Sequence, residues 1–304
     1  MGLDPVGGAL ASAAVSSPGP GGAPAGGPGE RGSNFFLGFL CLPKPKREAL
    51  SAVYAYCRLI DDVVDSGGLS KEEAGRTLGF WREEIERLYA GAPTHPVSRG
   101  LEPHIKRFHL DKEPFLEMIR GCELDLGPAR FSTFEELEDY MRGVACSVGR
   151  LAVEIFGYRH TPRERIREFA DLFGCAFQLT NIVRDVGADL ENGRVYLPES
   201  DMKDAGYSTE ALLRRERGAA FDRLMELEYE RARACYRRAR GLVDFRDRPS
   251  LLPAEVMAHV YEGLLEEIRR TGFRVFDGKA SLSSWRKLRL AFDAWKYCHG
   301  LHGF

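Results

Sequence analysis

The sequence predicts one all-α domain over residues 31–304, on three observations. From about Ser33 onward the hydrophobic period is helical almost throughout, strand signals are nearly absent, and no linker or internal repeat splits the chain. Residues 1–30 are a different material, dominated by Gly, Pro, Ala and Ser without helix or strand period, and read as a disordered tail. Leu42-Pro-Lys-Pro-Lys46 breaks a first short helix from a second that runs through Asp65 and ends at Ser66-Gly-Gly68. Ser70-Lys-Glu-Glu73 offers a capping box for the next helix, and Pro93, Pro96 and Pro103 punctuate the region before a helix over about 112–126. Ser132-Thr-Phe-Glu135 starts a helix predicted to reach Gly157. Thr161-Pro-Arg-Glu164 combines an N-cap, a first-turn proline and a capping-box glutamate, and opens a helix to about Glu191. Helices over about 208–244, 253–271 and 283–298 complete the chain.

Composition narrows the functional classes. Hydrophobic content of 44%, charged content of 29% and a net charge of −2 allow a full core and give no general attraction to nucleic acid. No apolar run approaches the ~18–20 residues that span a bilayer; the longest suggestive one is Phe35-Phe-Leu-Gly-Phe-Leu-Cys-Leu42. Seven cysteines without a CxxC pair indicate reduced, packed thiols in a cytoplasmic setting, and the histidines lack zinc-type spacing. The tail has no basic residue before Arg31 and no apolar h-region, which disfavours signal and transit peptides.

Two acidic clusters about 120 residues apart carry the chemistry: Tyr54-Ala-Tyr-Cys-Arg-Leu-Ile-Asp-Asp-Val-Val-Asp65 and Gln178-Leu-Thr-Asn-Ile-Val-Arg-Asp-Val-Gly-Ala-Asp189. In each, two aspartates four positions apart share one helix face, where like charges are unfavourable unless something neutralises them. With 45 acidic residues, roughly half a dozen such pairs arise by chance on solvated faces. The apolar context of these two sets them apart. Tyr54, Arg58, Asp61 and Asp65 form one stripe; Gln178, Asn181, Asp185 and Asp189 form another. Two such stripes could hold hard divalent cations together with phosphate oxygens. A structural polar network between two helices is the competing reading.

The sequence resembles the squalene/phytoene synthase family over residues 31–296. The matching segments are Ser33-Asn-Phe-Phe with Leu42-Pro43, Tyr54 through Asp65, Tyr140-Met-Arg-Gly-Val-Ala145 through Gly149, and Gln178 through Gly193-Arg-Val-Tyr-Leu-Pro198. The resemblance implies an isoprenoid-synthase helical bundle with a central cavity, Mg²⁺ as cofactor and prenyl diphosphates as substrates. It places Asp61, Asp65, Asn181, Asp185 and Asp189 as metal ligands. Arg31, Ser33, Asn34, Phe35, Tyr54, Arg58, Gln178, Arg184 and, by a weaker alignment, Tyr261 fall on substrate-contacting positions. Tyr140 matches a tyrosine near the reacting carbons. Phe35, Phe177 and Leu179 are candidate water-excluding walls. The chain departs from the family at Ala188, where a glutamate is common, and Gly187 beside it weakens the helix locally.

The sub-pattern Cys122-Glu-Leu-Asp125, Glu154-Ile-Phe-Gly157, Ser33-Asn-Phe-Phe36 and Val275-Phe276 with Ser281-Leu-Ser283 is most similar to bacterial hopanoid-pathway presqualene diphosphate synthases, which join two C15 farnesyl diphosphates. Phytoene synthase, with C20 geranylgeranyl donors, is the enzyme alternative, and a non-catalytic assembly factor is the alternative from another class. Downstream pathway enzymes are candidate partners. The final helix, Trp285 to Trp295, either packs with a solvated basic face or rests on a membrane surface.

Overall fold

The structure, a computed structural model, describes residues 42–65, 68–127 and 129–301. The tail, the expected first short helix, Ser66 and Gly67 lie outside them, as do the candidate substrate contacts Arg31, Ser33, Asn34 and Phe35. Every regular element among the described residues is helical.

Helix α1 (Lys44–Asp65) buries Ala49, Leu50, Val53, Tyr56, Cys57, Ile60 and Val63, the stripe its period requires. Helix α2 (Lys71–Tyr89) opens with the expected capping box: Glu73 N–H donates to Ser70 Oγ at 3.3 Å, and Ser70 N–H to Glu73 Oε2 at 2.9 Å. Of the three prolines only Pro93 marks an irregular stretch. Pro96 is the first residue of α3 (Pro96–Phe108), where its missing N–H costs nothing, and Pro103 lies inside that helix. Helix α4 (Glu113–Leu124) follows. The helix expected to be continuous from 132 to 157 is α5 (Phe134–Met141), one π-helical turn (Arg142–Cys146) and α6 (Ser147–Phe156), with Thr133 rather than Ser132 as the cap. The turn lies where backbones nearly touch. A Cβ on Gly143 would sit 2.7 Å from Gly121 Cα of α4, and one on Gly174 would sit 2.7 Å from Cys146 Cα. The π turn absorbs that approach without breaking the chain's helical course.

Helix α7 (Arg163–Glu191) spans 29 residues, about 43 Å, and forms the central post, packing on the π turn, α6, α10 and α11. Its expected local cap is not used. Thr161 Oγ accepts a hydrogen bond from Asp244 N–H instead, and Asp247, from a distant loop, accepts from the backbone N–H groups of Arg159, His160 and Thr161 at 2.9, 2.9 and 2.6 Å. Short helices α8 (Glu199–Asp204) and α9 (Thr209–Leu213) precede α10 (Ala219–Arg240), so the helix expected over 208–244 is interrupted. Arg215 adopts φ +55° at that break, and Tyr207 Oη holds it through Glu216 O at 2.7 Å. Helices α11 (Leu252–Arg270) and α12 (Ser284–Cys298) close the bundle, α12 lying along α11. The described cysteines are free and mostly buried. None of the described helices is long and apolar enough to cross a membrane.

Candidate active site

Helices α1, α4, α6, α7, α11 and the π turn enclose one cleft of about 1040 Å³, its open mouth included. Its polar lining is Tyr54, Asp61, Gln178, Asn181 and Tyr261; its apolar walls include Leu50, Met118, Val148, Phe156, Phe169, Phe173, Phe177 and Met257. The helical period explains the division. On α1, Asp61, Cys57, Tyr54 and Leu50 descend one face, and on α7, Asn181, Gln178, Phe177, Phe173 and Phe169 do the same. Asp61, the one carboxylate in the lining, therefore shares one end with Gln178 and Asn181 while aromatics line the rest, and Asp65, Asp185 and Asp189 continue the two stripes one turn or two past the lining. Tyr261 reaches the cavity beside Phe177, ring centroids 5.0 Å apart. Leu179 is fully buried in the core and absent from the lining, so its place as a wall is corrected.

At the mouth, burial, with a contribution from Asp65, pushes the Asp61 carboxyl up to about 6 against the lowering bond from the Cys122 thiol at 3.6 Å. Burial and then the Asp185 charge push Asp189 up to about 7. Asp185 accepts from Arg184 Nε at 2.9 Å and lies 3.3 Å from Lys279 Nζ. Arg58 is exposed and pairs with Asp62 at 3.0 Å, so in this structure it points along the helix surface and does not line the cleft.

Three residues that the stripe argument did not select complete the mouth. Arg194 donates to Asp65 at 2.8 Å, and its charge also acts on Asp125 and Asp189, so one guanidinium ties the first acidic cluster to the second. Asp125 accepts from Tyr140 Oη at 3.0 Å and Tyr196 Oη at 3.2 Å, and burial raises its carboxyl. Tyr140, Tyr196 and Phe131 form an aromatic cluster with centroids 5.4–5.9 Å apart. Tyr140 thus sits at the carboxylate end, outside the apolar lining. Their signal was present in the sequence: Asp125 ends one matched sub-pattern, and Arg194 and Tyr196 lie in the segment after Asp189.

Gly187 has a packing reason as well as a propensity cost. A Cβ there would lie 2.5 Å from Val275 O, so the bare backbone lets the 275–276 segment cross α7 and bring Lys279 to Asp185.

The donor set fits a hard divalent cation. Asn181 Oδ1 is buried and accepts no hydrogen bond, and burial holds the Asp61 and Asp189 carboxyls above the usual carboxylate range, which a bound cation would offset. Among the described residues no three His, Cys, Asp or Glu side chains are gathered closely enough to hold a metal ion by themselves, so an ion here would need phosphate and water to complete its shell.

A helical bundle around an apolar cleft with acidic groups at its mouth is the isoprenoid synthase fold. The structure superimposes on a dehydrosqualene synthase solved with ligand at a TM-score of 0.78 and 29% identity, covering 89% of this chain and 94% of that one. The chain matches the family model for squalene/phytoene synthase over residues 29–286 and belongs to that family, the head-to-head prenyltransferases. It is 34% identical to a phytoene synthase of Arthrospira platensis over 264 residues, covering 84% of this chain and 85% of the relative. It is 36% identical to a presqualene diphosphate synthase of Zymomonas mobilis over 251 residues, covering 81% and 83%.

Proposed function

We propose that the cleft joins two molecules of one allylic prenyl diphosphate, with diphosphates at the mouth and prenyl tails between α1, α6, α7 and α11. The observation that carries this is the axial division of the cleft, polar at the end where Asp61, Gln178 and Asn181 lie and aromatic along its depth. Asp61, Asp65, Asn181, Asp185 and Asp189 would hold Mg²⁺, which when bound neutralises diphosphate oxygens and makes the diphosphate a better leaving group. Arg184, Arg194 and Lys279 are placed at those carboxylates to meet the same oxygens. The C1–O bond of one donor breaks and diphosphate leaves with the electron pair. The double bond of the second chain attacks C1, and loss of a proton closes a cyclopropane. Phe173, Phe177 and Tyr261 keep water from the cation and present aromatic faces to it. Tyr140 would receive the lost proton while passing its own hydroxyl proton to Asp125 along the 3.0 Å hydrogen bond between them.

The predominance of phytoene synthases among the curated relatives supports the C20 donor, giving phytoene through its cyclopropyl diphosphate. This moves the weight away from the presqualene reading expected from the sub-pattern. Two observations favour the C15 donor as a second reading: the identity to the Zymomonas relative, and the depth of the cleft. From Asp61 to Leu50 along α1 and from Asn181 to Phe169 along α7 the rise is about 16 and 18 Å. An isoprene unit of four C–C bonds extends about 5 Å, so a straight C15 tail needs ~15 Å and a straight C20 tail ~20 Å. The experiment is incubation with Mg²⁺ and each donor, with mass analysis before and after phosphatase. A C40 product from geranylgeranyl diphosphate supports the first reading, a C30 cyclopropyl diphosphate from farnesyl diphosphate the second, and no product from either refutes the catalytic proposal.

A further inference from the structure

The outward face of α12 is aromatic where the sequence allowed for a solvated basic one. Trp285 is 81% exposed, Phe292 58%, Leu288 57% and Trp295 39%. At ~100° per residue these four, with Arg289 and Lys296, fall within an arc of about 120°. The opposite face does the packing. Ala294 and Cys298 are buried, Arg286 turns in to Glu267, and Leu290 seats on Gly263 of α11, where an added Cβ would lie 2.5 Å from its Cδ1. Helix α12 therefore buries small residues and exposes two indoles and a phenyl ring, the reverse of an ordinary surface helix.

Charge selects the occupant of this face. Of the helix's cations, Arg286 is paired with Glu267 and Lys287 lies off the aromatic arc, which leaves Arg289 and Lys296 among the rings, Lys296 also meeting Asp293 at 2.7 Å. A two-fold contact with a second copy would bring two such cationic helices together. An anionic lipid surface matches both features, because indole and phenyl rings sit at headgroup depth while guanidinium and ammonium groups reach the phosphates.

We propose that α12 is a docking helix that lies in the plane of an anionic bilayer, with Trp285, Leu288, Phe292 and Trp295 inserted. It rides on α11, whose other side contributes Met257 and Tyr261 to the cleft, so docking sets the apolar cavity about one helix diameter, ~10 Å, from lipid. The inference stands independently of donor length.

The test uses the full chain with vesicles of phosphatidylcholine alone or with phosphatidylglycerol added, followed by co-sedimentation and tryptophan emission. The chain has three tryptophans and Trp81 is only 3% exposed, so Trp285 and Trp295 report insertion. The expected result is a blue shift and binding with the anionic vesicles, weakened by salt. Trp285→Ser with Phe292→Ser lowers partitioning by at least roughly tenfold, and Arg289→Gln with Lys296→Gln removes the preference for anionic lipid, both with unchanged circular dichroism. No blue shift, or equal partitioning of the aromatic variant, overturns the proposal. Self-association in lipid-free buffer that the same serine substitutions abolish overturns it too and assigns the face to a second copy.

Discussion

Replacing Asp61 by asparagine is expected to stabilise the protein while removing its activity. Burial, with Asp65 nearby, raises this carboxyl from 3.8 to about 6. A shift of just over two units corresponds to roughly 3 kcal/mol held against the folded state when the group is charged. Above about pH 6 the carboxylate is charged in both folded and unfolded chains and the full cost applies. Below about pH 4 it is neutral in both and the cost is gone. Asparagine keeps the shape without the charge, so Asp61→Asn should gain roughly 3 kcal/mol at about pH 7.5, a rise in Tm of roughly 6 °C. That gain should fade as pH falls through 6 and be absent near pH 4. Metal-free urea titrations of both proteins at several pH values measure it. Turnover of the variant should drop at least roughly a hundredfold. A variant no more stable than wild type at pH 7.5, or equally stabilised at pH 4, would falsify the reading of Asp61 as an uncompensated buried charge.

Three further substitutions probe the rest of the site. Arg194→Ala removes the guanidinium between Asp65, Asp125 and Asp189 and should lower kcat/KM by roughly a hundredfold, with Arg194→Lys recovering part of it; steady-state kinetics with unchanged values for both would sink the bridging role. Gly187→Ala gains about 1 kcal/mol of helix propensity but forces the Val275 carbonyl away from a 2.5 Å contact, a strain of roughly 1–3 kcal/mol. Net destabilisation in urea is therefore expected, and a more stable variant would show that the 275–276 segment yields freely. Phe169→Ala deepens the cleft floor by about one isoprene length, ~5 Å; in a donor competition read by mass spectrometry it should raise the share of C40 product, and an unchanged ratio would remove Phe169 as a length determinant.

The two stripes were legible because they depend only on the helical repeat. Asp61 and Tyr54 on α1, and Asn181 and Gln178 on α7, line the cleft as their spacing requires. Spacing also selected Arg58, which in the folded chain turns along the surface to Asp62, because periodicity fixes a face but not which neighbour a long side chain meets. Leu179 shows the same limit, being apolar on the cleft helix yet pointing into the core. Local capping failed at Thr161 because its Oγ accepts instead from Asp244 N–H, 83 residues away, while Asp247 holds the 159–161 backbone ahead of α7.

The sequence by itself determined the all-helical class, the central helix to Glu191 and the two acidic clusters, since each rests on residues within a turn or two of one another. The tertiary structure alone decided that Arg194 joins Asp65 across 129 residues and that Tyr196 and Tyr140 meet at Asp125. It alone turned the aromatic side of α12 outward, because Gly263 leaves room for Leu290 on the other side. Those outcomes depend on which helices touch and how closely, and one-dimensional spacing carries no record of that.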